Sequence, residues 1–385
     1  MFSDRTNWNL QPNRLSGALT RHRAAKKPLL DLTASNPTQC GFAYQSNAIL
    51  GALGNPSALI YEPEPRGLVE ARKAVAKYYA DRGIAVSIED IILATSTSEA
   101  YSYALRTLCN PGDEILIPQP SYLLFELLAE IQDVDLVRYA LVYDHGWQID
   151  FASLERIITP RTRAVIVVHP NNPTGQYVKA EELTQLNAIC STRGLALVAD
   201  EVFLDFNLDN DTPGSLAAND AALTFTMSGI SKICGLPQMK AAWLITSGPQ
   251  EFRTVALARL EVIADTYLSM NAPIQAALPS FLEQRHEIQS QIKDRVKHNL
   301  QNLDAQLASH KTCSRLKLEG GWYAVLRVPA TRSDEDLAVD LIEERGVYVH
   351  PGHFYDFESD GYLVVSLITP PADFEEGIGR LLSMF

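Results

Sequence analysis

The sequence predicts an α/β protein: a large domain built on a mostly parallel sheet covered by helices, with a smaller α+β domain beside it. Three observations carry this prediction. From about residue 89, short apolar runs alternate with longer amphipathic ones, the order that βαβ units write into a chain. The run Val165-Ile166-Val167-Val168 has no polar alternation, as a central strand covered on both faces requires. Beyond Leu307 the texture changes to short strands interleaved with helices, which marks the second domain.

Taken in order, "IILAT" is a strand and "SEAYSYALRTLC" the helix after it. "EILIP" leads to "SYLLFELLAEI", "AVIVVHP" leads to "AEELTQLNAIC", and "LALVAD" is a further strand. Helix-end and turn chemistry separates them at "NPGDE" (Asn110 to Glu114), "TPRTR" (Thr159 to Arg163) and "TRGLA" (Thr192 to Ala196). Apolar residues between Ile274 and Leu307 recur at spacings of three and four, which predicts one long helix interrupted near Pro279. "GGWYAVLRV", a helix opening at Ser333, "VYVHP", "GYLVVSLIT" and a last helix "DFEEGIGRLLSMF" follow. The expected division is a large domain of residues 46–282 and a small one of residues 1–45 and 283–385.

Composition limits what such a protein does. A chain of 385 residues with 46% hydrophobic and 21% charged residues supports a large buried core. The formal net charge of −13 leaves no basic footprint for nucleic acid and disfavours an anionic membrane surface, so small molecules are the expected partners. The cysteines Cys40, Cys109, Cys190, Cys234 and Cys313 lack C-x-x-C spacing, and neither a metal site nor a disulfide framework is predicted. The N-terminus has no apolar signal-peptide core, and no run of about 18 apolar residues occurs, so a cytoplasmic protein is expected.

In open α/β sheets ligands bind beyond the carboxyl ends of the strands, so the polar residues that end apolar runs are the candidates. In "ATSTSEA", Ser96, Thr97 and Ser98 precede a helix whose first N–H groups suit an anion, although Ser and Thr also cap helices with no ligand present. Asn172 in "VVHPNNPTGQ" sits in a turn that fixes its amide. Asp200 ends "ALVAD", where an acid is costly to ionise without a cationic or hydrogen-bonding partner. Lys232 follows an apolar run and sits among small residues, a setting in which an amine loses its charge and attacks aldehydes. An amine, a carboxylate, an amide and an anion cup with Lys240 near it match the four groups of pyridoxal phosphate, and Tyr122 is a candidate to stack on its ring.

At this point the chain resembles the fold type I, class I/II aminotransferases. The motifs are "SNPT" (Ser35 to Thr38), "YEPEPRG" (Tyr61 to Gly67), "TSTSEA" (Thr95 to Ala100), "NPGDEILIPQPSY" (Asn110 to Tyr122), "NNPTG" (Asn171 to Gly175), "ADEVF" (Ala199 to Phe203), "SGISK" (Ser228 to Lys232) and "HPGHF" (His350 to Phe354), in family order. The resemblance implies that Lys232 holds the cofactor as a Schiff base and moves the substrate proton, and that Asp200 pairs with the pyridine nitrogen. It implies that Asn172 bonds the phenolic oxygen, that Tyr122 stacks on the ring, and that Ser96, Thr97, Ser231 and Lys240 hold the phosphate. Tyr61 would cross into the neighbouring subunit of a homodimer, and Asn36 and Arg66 would face the substrate.

Three positions depart from the pattern. Phe203 stands where the family usually has a tyrosine, and Lys240 where it usually has an arginine. Val364 stands where an arginine usually binds the substrate's α-carboxylate. Arg66 is the first candidate substitute, with His350 and His353 behind it. The expected reaction is amino transfer between an amino donor and an oxo acid; elimination, decarboxylation or oxidation at the same carbon is the alternative.

Overall fold

The computed structural model describes residues 1–122, 124–209 and 214–385. Its larger sheet has eight strands. From one edge they are Ile91–Ala94, Ala242–Ser247, Thr224–Gly229, Ala196–Asp200, Thr162–Val168, Glu114–Gln119, Asp135–Tyr143 and Trp147–Ile149. Neighbours from Thr224–Gly229 to Asp135–Tyr143 pair in parallel. Ala242–Ser247 runs against both of its neighbours, and Trp147–Ile149 is an antiparallel edge.

The apolar strand Thr162–Val168 is fifth of the eight. Its alternate residues enter two different cores: Val165 and Val167 pack with Leu197 and Ala199, whereas Ala164, Ile166 and Val168 pack with Ala196 and Val198. Period-two side chains with both faces covered are what removed polar alternation from the sequence. The covering helices include Thr97–Leu108, Ala180–Arg193 and Gln250–Thr266. The helix expected in "SYLLFELLAEI" spans Leu124–Ile131, and Leu123 lies outside the described residues.

A second, antiparallel sheet has the order Ser314–Arg315, Tyr323–Arg327, Tyr362–Ser366, His350–Pro351. Leu30–Asp31 pairs in parallel with Val347–Tyr348, which ties the beginning of the chain to this C-terminal part.

One expectation needs correction. The long helical stretch divides at Gln284, between Ala272–Glu283 and Arg285–Ala308, and Pro279 lies inside the first helix. The cause is a cap formed by the next residue. Arg285 Nη1 reaches back to the Leu282 carbonyl at 2.7 Å, and Nη2 pairs with Asp81 at 2.9 Å, so the end of the first helix is satisfied by a side chain.

Candidate active site

The strand register brings the predicted residues to one end of the large sheet. Ala94 and Gly229 both pair with Ala242, so Thr95 to Thr97, Ser231 and Lys240 gather beyond three adjacent strands. Asp200 pairs with Met227 on one side and Val168 on the other, which puts it beside the strand leading to Lys232 and the one leading to Asn172. Gly229 makes the close strand approach possible, because a Cβ there would lie 2.9 Å from the Ala241 carbonyl oxygen.

Lys232 lies in the short helix Ile230–Ile233. Its Nζ is 3.4 Å from the Ser35 carbonyl oxygen, and it lies 4.9 Å and 5.5 Å from the ring centroids of Trp322 and Phe203. Burial pushes the amine down to about 8, opposed by the charge of Asp200. An amine in this range is partly neutral near physiological pH and therefore nucleophilic. Asp200 Oδ1 accepts a hydrogen bond from the Val202 N–H at 3.0 Å, and Oδ2 accepts one from the Tyr101 hydroxyl at 3.1 Å. Burial nevertheless raises Asp200 to about 6, because these donors and Lys232 offset the desolvation only in part. A cation opposite Asp200 would relieve that cost.

Titration gives a direct check. Peptide-resolved acetylation of Lys232 in the cofactor-free protein is expected to show a midpoint near pH 8, and Asp200→Asn should lower it further by removing the charge that holds the proton. A midpoint at about 10, the ordinary lysine value, would contradict the buried setting.

The remaining residues divide into free and committed groups. The Asn172 amide makes no hydrogen bond among the described residues, although its Oδ1 is buried. A buried amide without a partner fits a site that expects a ligand. Its neighbour Asn171 is instead tied to Pro120 and Thr174. Ser96 caps the helix Thr97–Leu108 by accepting the Glu99 N–H at 3.2 Å, and the Glu99 carboxylate accepts the Thr95 N–H at 2.6 Å. Lys240 is exposed in a left-handed conformation (φ 53°). Among the described residues Lys240 has no carboxylate partner, and the Thr97 and Ser231 hydroxyls make no hydrogen bond. Tyr122 is 46% exposed and makes no ring contact among the described residues, so a face is open for stacking.

These features fit pyridoxal phosphate. A nucleophilic amine, an acid whose desolvation is only partly offset, an unpartnered amide, an open aromatic face and a cation beside a helix N-terminus correspond to the cofactor's aldehyde, ring nitrogen, phenolic oxygen, ring and phosphate. The family model for aminotransferase class I and II matches residues 30–381. The chain belongs to this family. As a class I and II aminotransferase it depends on pyridoxal phosphate and moves amino groups. A glutamate-pyruvate aminotransferase of Haemophilus influenzae is 27% identical over 92% of this chain and 89% of its own length. An alanine aminotransferase of Mycobacterium tuberculosis is 29% identical over 92% of this chain and 84% of its own length. An aminotransferase structure from Escherichia coli superposes with a TM-score of 0.87 at 25% identity, covering 100% of this chain and 98% of the other. The alanine aminotransferase of Pyrococcus furiosus has a TM-score of 0.90 at 20% identity, covering 100% and 99%.

Not every candidate joins the aminotransferase site. Arg66 points its Nε and Nη2 at Glu261, at 2.9 Å and 2.6 Å, and its Nη1 at the Glu89 carbonyl at 2.8 Å. The guanidinium is thus occupied by two acids and a carbonyl, which competes with any substrate carboxylate. Arg66→Ala is expected to lower the melting temperature by a few degrees and to change KM alike for amines and amino acids; a KM rise confined to carboxylate donors would contradict this. Asn36 spends its Oδ1 on Thr38, whose N–H and hydroxyl donate at 3.1 Å and 2.7 Å. His353 packs edge-on against Phe354. Tyr61 is 76% exposed in the apolar run Leu59-Ile60-Tyr61.

Sequence reasoning missed Tyr101 and Trp322, and Glu201 is a further acid at the strand end that carries Asp200. Glu201 is fully buried, accepts the Leu216 N–H and the Ser215 hydroxyl at 2.6 Å each, and is raised to about 7 by burial. Its position beside Asp200 in "ADEVF" was the available signal.

Proposed function

We propose that Lys232 is the covalent anchor of the cofactor and the group that carries the substrate proton in a transamination between an amino donor and an oxo acid. The observation that carries this reading is the placement of a half-buried amine pushed down from its ordinary value and a half-buried acid pushed up from its own at the ends of neighbouring strands. Bound pyridoxal phosphate supplies the electron sink that lets the donor's carbon release a proton. Asp200 holds a positive charge at the ring nitrogen, and its bonds from Tyr101 and Val202 fix the carboxylate for that task. Lys232, partly neutral, takes the proton from the donor carbon and returns it. Asn172 donates to the phenolic oxygen, Tyr122 covers one ring face, and Ser96, Thr97, Ser231 and Lys240 hold the phosphate.

The same reading makes the enzyme a cytoplasmic homodimer with a large domain of residues 46–282 and a small domain of 1–45 and 283–385. The exposed run Leu59-Ile60-Tyr61 supports a partner covering this segment and Tyr61 reaching the neighbouring site. No helix among the described residues is long and apolar enough to cross a membrane.

Product counting tests the reaction type. With an amino donor and no acceptor, transamination should release one oxo product per active site and no ammonia. Sustained turnover with ammonia release would instead support elimination.

A further inference from the structure

We propose that the donor selected by this active site carries no carboxylate on its reacting carbon, so that the specific substrate is a primary amine or amino alcohol. The inference rests on Lys232 being the reacting amine. The selecting wall is one face of the small sheet. Register pairs Tyr323 with Ser366 and Val364 with both Val325 and His350, so these five side chains share a face. That face looks toward Lys232. The Ser366 hydroxyl donates to the Ala34 carbonyl, one residue from the Ser35 carbonyl beside the amine. The Tyr323 ring lies 6.2 Å from Phe203, over which the amine sits.

The wall presents no positive charge. Val364 is 1% exposed and belongs to the same buried cluster as Tyr323 and Tyr355. Burial pushes His350 down to about 4 against the pull of Asp31, so it is neutral at pH 7, and its Nδ1 lies 3.0 Å from the Tyr355 hydroxyl. Among the described residues, no lysine or arginine forms an ion pair or side-chain hydrogen bond with Asp200, Tyr122, Tyr323, Tyr355 or His350. Arg295 reaches the segment that carries Cys40 and Phe42, but its Nη1 contacts the carbonyls of Cys40, Ile368 and Thr369 and its guanidinium lies over the Phe42 ring at 4.9 Å. A partner contributing the segment around Tyr61 would bring Glu62 and Glu64 with it. A desolvated carboxylate needs a cation or several donors, and two acids nearby make its burial worse. A hydrogen or hydroxymethyl group on the reacting carbon meets no such cost.

The chemistry balances without an external oxidant. The donor carbon would give up a proton, an electron pair and its nitrogen, the electron pair and nitrogen being held by the bound cofactor until the oxo acid of the second half-reaction takes them, and water would supply the oxygen of the released aldehyde or ketone. The oxo acid of the second half-reaction takes that nitrogen and faces the same wall, so its KM should be high.

Three donor pairs that differ only by the carboxylate test the proposal on the holoenzyme: 2-phenylethylamine and phenylalanine, 1,5-diaminopentane and lysine, ethanolamine and serine. The better-used pair should favour the amine by roughly 100-fold in kcat/KM. By calorimetry, the unreactive acid 3-phenylpropionate should bind no more tightly than 3-phenylpropan-1-ol. Val364→Arg should shift the donor ratio at least about tenfold toward the amino acid. Amino acids preferred by the wild type, or tighter binding of the acid, would overturn the proposal while leaving transamination intact. An unchanged donor ratio in a Val364→Arg protein that melts like the wild type would remove this wall as the selector. Failure to convert any donor of either kind would overturn the transamination reading and this inference with it.

Discussion

Asp200→Ala is expected to lower turnover on the order of 10³-fold, the scale of removing one preorganised electrostatic group, while the melting temperature hardly changes. The charge of Asp200 matters most when negative charge develops on the ring, a demand that the resting fold never makes. Its stability terms oppose one another. Removing it leaves the Tyr101 hydroxyl and Val202 N–H without their acceptor, but it also removes a buried carboxylate whose ionisation is costly. Linkage gives a second signature in the cofactor-free protein. Because the folded value of about 6 lies above the unfolded one, the contribution of Asp200 is fully present below the unfolded value and is lost as pH rises through 6. Asp200→Ala should flatten that part of the stability curve. A variant that melts far lower yet retains normal turnover per loaded site would make Asp200 a structural acid.

Lys232→Ala is expected to have the larger effect, on the order of 10⁴-fold at the upper end of general acid–base catalysis. Among the described residues, Lys240 is the other lysine that register brings to this end of the sheet, and it is exposed beyond the strand Ala242–Ser247. Added methylamine should restore part of the proton transfer without restoring the covalent link. Turnover that survives the substitution and is insensitive to added amine would show that another group moves the proton.

Much of the candidate site was legible because strand ends are local features. "ALVAD", "VVHPNN" and "SGISK" announce their polar residues directly after apolar runs, and the parallel sheet aligns those ends. The supporting contacts were not legible, since they join residues far apart in the chain. Tyr101 reaches Asp200 across 99 positions, and Trp322 meets Lys232 from the bend that precedes the strand Tyr323–Arg327. Periodicity marks such aromatic residues only as buried. Pro279 misled for a related reason: the helix divides where Arg285 finds Asp81 and the Leu282 carbonyl, a tertiary contact that no local breaker encodes. Arg66 was attractive by its closeness to Tyr61, and its occupation by Glu261, 195 positions away, is equally invisible in the local sequence.

The covalent anchor is the central claim. Reducing the cofactor-loaded enzyme with borohydride and mapping the labelled peptide tests it most directly. The label should fall on Lys232 within "SGISK" in stoichiometric amount and disappear in Lys232→Ala. A label on Lys240 or any other lysine would contradict the account.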